Sequence, residues 1–94
     1  MTNESAARNM DSEERNAIFL SLRRLKRHHE RNMNDHELAE LLIGAAIAHG
    51  FDTGTRIIGT LHTRDMNRQH AGMILNRLTG TRWERYDDGH YGLL

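Results

Sequence analysis

The chain has 94 residues and a mass of 10.9 kDa, room for one domain with a tail. Its 13 basic residues balance 13 acidic ones, with seven histidines uncounted, so no strong net field draws the whole molecule towards a polyanion. There is no cysteine, which excludes disulfides and thiolate metal sites. The longest apolar stretch, Leu41-Leu42-Ile43 continued through Gly44 to Ala48, is far short of the ~20 residues a membrane span needs. Met1-Thr2-Asn3-Glu4-Ser5 has neither a basic patch nor an apolar run, so no secretory leader is expected and the reading is a cytoplasmic chain with no membrane partner. No Ser-His-Asp order, Gly-rich phosphate loop or HExxH motif occurs; the expectation is a binding module, not an enzyme, with no cofactor.

Valine is absent and the aliphatic residues are mainly Leu and Ala, which favour helix over strand. Twelve of the 13 cations are Arg and one is Lys26. Arginine's planar fork suits phosphates and guanine edges, although a GC-rich coding sequence produces the same bias. The distribution is more telling than the total: residues 54–86 carry six arginines against Asp65 and Glu84, a local excess of +4.

Residues 1–10 are small and polar without period and read as a flexible tail; residues 11–94 read as one domain. Asp11 and Glu14 have capping-box spacing at the start of a helix over 12–31, with Ile18, Leu22 and Leu25 in one stripe and Phe19 beside it. Its second half, from Arg23 to Arg31, is strongly basic, which suits a helix C-terminus. Asn34 and Glu37 repeat the capping-box spacing before a helix over 35–49. That helix is apolar on nearly every side and should be the most buried one, with Gly50 as its C-terminal cap. Asp52 or Thr53 caps a short helix over 54–62, with Ile57, Ile58 and Leu61 inward. Asn67 caps a helix over 68–79, with Ala71, Ile74, Leu75 and Leu78 at i, i+3, i+4, i+7, and Gly80 stops it. Between them, Leu61 to Asn67 is a long connection, or the 54–62 helix runs on through Thr63-Arg64. The end of the chain changes period: Asp88-Gly89 between aromatic runs signals a β-hairpin. A two-residue turn there pairs Tyr86 with Tyr91 and Trp83 with Leu94. Trp83 is the expected anchor on the helices, since an isolated hairpin is marginal in water. The fold class is therefore mainly α with a C-terminal β-hairpin, about four helices.

The run Asn67-Arg68-Gln69-His70-Ala71-Gly72-Met73-Ile74-Leu75-Asn76-Arg77-Leu78 resembles the recognition helix of the winged helix-turn-helix DNA-binding superfamily. There a small cap followed by Arg-Gln opens the helix and an apolar-apolar-polar-Arg-Leu pattern closes it. Trp83-Glu84-Arg85-Tyr86-Asp87-Asp88-Gly89-His90-Tyr91 resembles the wing. The likeness covers about residues 54–94 and points to a superfamily, not to one protein. It implies that the 68–79 helix enters a DNA major groove. Helical spacing sets Arg68, Gln69, Met73, Asn76 and Arg77 away from the apolar stripe. Arg68 can then donate twice to a guanine and Gln69 can pair with an adenine edge. Asn67 and the helix N-terminus can hold a phosphate, and Arg82, Arg85 and His90 on the wing can reach the backbone or minor groove.

The implied function is a small double-stranded-DNA-binding protein acting as a transcriptional regulator. A homodimer through helices 12–31 and 35–49 would match palindromic half-sites. The competing reading is a winged-helix protein-interaction module, an adaptor or inhibitor of a protein partner that binds no DNA; zero net charge and the long connection favour it. The Arg23–Arg31 run is either a solvated face or a phosphate contact. No metal is expected, because His28-His29 point in different helix directions and His62 and His70 lack a carboxylate or thiol partner. Gly72 inside a helix costs about 1 kcal/mol relative to Ala; it permits close approach of either DNA backbone or a neighbouring helix.

Overall fold

The structure, a computed structural model, describes residues 12–94. Asp11, with its share of the first capping box, and the 1–10 tail lie outside the described residues. Four helices precede one hairpin: α1 (Ser12–His29), α2 (Asp35–Ala48), α3 (Gly54–His62), α4 (Arg68–Arg77), β1 (Trp83–Arg85) and β2 (Tyr91–Leu93). This is the expected class, mainly α with a C-terminal antiparallel hairpin.

α2 is the central element. Its Leu38, Ala39, Leu42, Ile43, Ala46 and Ile47 are all buried, and it touches α1, α3, α4 and β2. The capping box at its start is complete: Asn34 Oδ1 accepts from the Glu37 N–H at 2.8 Å and Glu37 Oε1 accepts from the Asn34 N–H at 3.0 Å. α1 lies at the periphery, with Leu22 its one buried residue and Ile18 and Leu25 partly buried against the core. Its Phe19 stacks on Phe51, ring centroids 5.3 Å apart.

Two helix ends are closed by the same device. After α2, the Phe51 N–H reaches back to the Ala46 carbonyl and the Gly50 N–H to that of Ile47. Gly50 has φ 95°, and Phe51 packs on Ala46 in a small apolar cluster. This is a Schellman motif with its hydrophobic contact. After α3, Met66 N–H bonds to Leu61 and Asp65 N–H to His62, with Asp65 in the left-handed position at φ 66°. Asp, like Asn, tolerates that conformation better than most residues. The long Leu61–Asn67 connection is thus a second Schellman motif, whose Met66 is buried in the same core as Leu61. Thr63 and Arg64 carry the helical turn onward beyond His62.

Helix ends differ slightly from expectation. α1 stops at His29, α2 at Ala48 and α4 at Arg77, because the last residues of each enter tightened cap geometry. At α4, Leu78 is the C-cap and Thr79 N–H bonds only three residues back, to Asn76. The Leu75 carbonyl, freed by that stop, accepts two side-chain donors instead: Thr79 Oγ1 at 2.7 Å and Trp83 Nε1 at 2.8 Å.

The hairpin register corrects the sequence expectation. Trp83 pairs with Leu93, Glu84 with Gly92 and Arg85 with Tyr91, so neither Tyr86–Tyr91 nor Trp83–Leu94 is a pair. The loop has three residues, Asp87-Asp88-Gly89, closed by Gly89 N–H to Tyr86 O and Tyr86 N–H to His90 O. Gly89 has φ 89°. A three-residue hairpin puts glycine at its left-handed third position, where a two-residue turn would have used Asp88-Gly89 as its centre. The Tyr86 hydroxyl lies over Gly92, where any side chain would collide with it.

The hairpin is fastened at three points. Trp83, 1% exposed, is seated in the core beside Ile74 and Leu75. β2 touches α2. The connector before α3 bridges to it: Thr53 lies antiparallel to His90, and the Tyr91 N–H donates to the Asp52 carbonyl at 2.7 Å.

Trp83→Ala is expected to cost about 3–5 kcal/mol, the loss of a large buried aromatic. Trp83→Phe keeps most of the ring, leaves Thr79 on the Leu75 carbonyl and costs about 1 kcal/mol for the lost donor and volume. Urea unfolding followed by circular dichroism reads both, and equal losses for the two variants would show that the indole hydrogen bond outweighs the packing.

Candidate nucleic-acid interface

The sequence of α4 separates it into two faces. Ala71, Ile74 and Leu75 are buried, and Leu78 packs on the same core. Opposite them Arg68, Gln69, Asn76 and Arg77 are exposed, and Met73 is 48% exposed. Asn67 is the N-cap, its side chain accepting from the His70 N–H at 3.0 Å. The amides of Arg68 and Gln69 have no intrahelical acceptor, as at every helix start. They leave a positive helix end beside two exposed donor side chains. Neither Arg68 nor Arg77 forms a salt bridge among the described residues. The face is therefore chemically available: two guanidinium forks and two amide side chains around a flexible methionine.

Gly72 lies on the flank of this helix. A Cβ there would sit 3.5 Å from Ile58 Cδ1 of α3, so the residue it approaches is in a neighbouring helix. That distance is ordinary van der Waals contact.

The hairpin delivers only part of what was expected of it. Arg85 is exposed on β1. Arg82 is turned towards α2, where its Nε lies 2.8 Å from Glu40 Oε2. His90 is drawn inward: its side chain is 21% exposed, and both ring nitrogens are closed off from solvent without a hydrogen-bond partner. Its Nδ1 stands 3.1 Å from Asp88 Oδ1 without the alignment of a hydrogen bond. The His90 backbone N–H does donate to that oxygen, at 3.0 Å, and holds the exposed Asp88 carboxyl below its ordinary value. Both departures arise from contacts across the fold that no local pattern encodes: Glu40 lies 42 positions before Arg82, and the bridge to Thr53 fixes His90.

Two further concavities lie elsewhere on the surface. One is an apolar groove of about 580 Å³ between α2 and the hairpin, lined by Met33, Leu41, Gly44, Ala45, Trp83 and Leu93, with Glu37, Glu40 and Arg82 at its rim. The other is a polar cleft of about 480 Å³ where α1 meets the α3–α4 connection, lined by Arg23, Lys26, Arg27, Glu30, Arg64 and Asp65. The cleft escaped sequence reasoning because its two sides are about forty residues apart; the only advance signal was the basic run on α1.

The histidines meet differently from their order in the chain. His28 and His29, expected to diverge, have rings in edge contact with centroids 4.7 Å apart. His70 contacts His36 of α2, not His62, again at 4.7 Å. Among the described residues no group of three or more His, Asp or Glu side chains is placed to hold a metal ion, and no helix is long and apolar enough to cross a membrane.

Comparison with family models, with curated proteins and with solved structures found no match to this chain. The site therefore stands on its own geometry.

Gly72→Ala is expected to raise stability by about 0.5–1 kcal/mol, from helix propensity at an unstrained position with ordinary space for the methyl. Thermal unfolding measures it. A fall in Tm would mean that α3 and α4 pack more tightly at Ile58 than the 3.5 Å separation implies.

Proposed function

We propose that this chain is a small double-stranded-DNA-binding protein of the winged helix-turn-helix kind, acting as a transcriptional regulator. α4 enters the major groove and the hairpin serves as its wing. Arg68 addresses a guanine, Gln69 an adenine edge, and Asn76 and Arg77 the adjoining bases or phosphates. Arg85 reaches the backbone from the wing. Arg82 is held by Glu40 and both ring nitrogens of His90 are buried, so they are left out of the proposed contact set.

The observation that carries this reading is the outward Arg68–Gln69–Arg77 face, free of ion pairs among the described residues. It is braced from behind by Ile74, Leu75 and Trp83. A second support is the Thr53–His90 bridge. It ties the start of α3 to the wing, so α3, α4 and the hairpin present one rigid head. Sites held on rigid elements keep the orientation that base reading requires.

Binding to random duplex should weaken steeply with salt, by about 0.9 in log K per log salt for each phosphate neutralised. Arg68→Ala should cost about 1–3 kcal/mol and relax discrimination at one base pair. Absence of binding at low salt, or unchanged affinity in an Arg68→Ala, Arg77→Ala double variant, would overturn the reading.

A second reading, a protein-interaction surface, is favoured by the groove between α2 and the hairpin. Its partner is a second copy of this chain. The groove's apolar floor and Leu93, which lines it and is 49% exposed, offer both a recess and a projecting side chain. An isologous interface needs that self-complementarity. Light scattering on the eluting protein should give twice 10.9 kDa, falling to the single-chain mass with Leu41→Glu. A wild-type mass near 10.9 kDa at working concentration would remove the dimer.

A further inference from the structure

We infer that the cleft between α1 and the α3–α4 connection is a second phosphate-binding site, which grips the DNA backbone beside the major groove entered by α4. This rests on the duplex-binding reading above and extends it to a helix outside the region that resembles a winged helix.

The cleft gathers charge from two distant stretches. Arg23 and Arg27, one helical turn apart on α1, line it together with Lys26 and with Arg64 from the connection. Lys26 is engaged by Glu30, 3.4 Å away. Arg23, Arg27 and Arg64 form no salt bridge among the described residues, and the cleft's four cations outnumber its two acids, Glu30 and Asp65. A phosphate oxygen is the acceptor that three arginine forks in one cleft best match.

Position ties the cleft to α4. Asp65 lines this cleft and also the adjoining depression formed by Asn67, Arg68 and Gln69. The two depressions therefore adjoin at Asp65, and a strand whose phosphates pass the N-terminus of α4 would next meet the arginines of α1. The balanced net charge of the chain does not oppose this, because screening makes local charge decide contact at ordinary ionic strength.

The test follows the arginine Nε–Hε resonances of the full chain by NMR while a short random duplex is added at low salt. Shifts at Arg23, Arg27 and Arg64 as well as at Arg68 and Arg77 support both the cleft and the major-groove reading. Shifts at Arg68 and Arg77 alone overturn the cleft and leave the major-groove reading standing. Shifts at the cleft arginines alone support the cleft as a phosphate site and overturn the α4 reading. No shifts overturn both. As a second measurement, Arg23→Ala with Arg27→Ala, both exposed, should keep the melting curve and lower the salt slope of binding by about 2, the release expected for two phosphates. Base preference should stay as it is. A salt slope equal to that of wild type would overturn the cleft.

Discussion

One carbonyl decides how the C-terminal half is put together. α4 stops at Arg77, and the Leu75 oxygen loses its backbone partner. Thr79 and Trp83 both donate to it. A buried carbonyl without a donor costs about 1–3 kcal/mol, so the helix end and the tryptophan depend on each other. The indole can reach Leu75 only if the chain turns sharply at Gly80, where φ is 93°, and runs back as β1. The hairpin is thereby tied to the end of α4 through Trp83.

Capping carries the same logic to the other corners of the fold. Both Schellman motifs bury the residue that follows the turn: Phe51 after α2 and Met66 after α3. Each converts a helix end, with its unpaired carbonyls, into an apolar anchor. The second motif sets the direction of α4. By burying Met66 it leaves Asn67 poised as the cap and turns Arg68 and Gln69 outward. It also places Arg64 against α1, so the cap geometry that aims α4 also builds the polar cleft beside it.

Charge is neutral in sum but uneven in places. The cleft with α1 gathers four cations against Glu30 and Asp65, while Glu37 and Glu40 line the apolar groove between α2 and the hairpin. Arg82 lies within the basic segment of the chain but is held by Glu40.

What the sequence determined by itself was local: the four helices, the caps at Asn34, Thr53 and Asn67, the glycine stop at Gly50 and the existence of a hairpin. Those features arise from hydrophobic period, capping chemistry and turn residues acting within a few positions of one another. The outward face of α4 was equally legible, because helical spacing alone separates Arg68, Gln69 and Arg77 from Ala71, Ile74 and Leu75. Tertiary structure decided the rest. The hairpin register is set by seating Trp83 on Leu75 and Tyr91 on Asp52, which Asp88-Gly89 in isolation does not encode. The inward turn of His90, the pairing of Arg82 with Glu40 and the meeting of α1 with Arg64 all join residues remote in the chain. Their free energies come from packing and charge pairing that exist only once the helices have assembled, so no local pattern announces them.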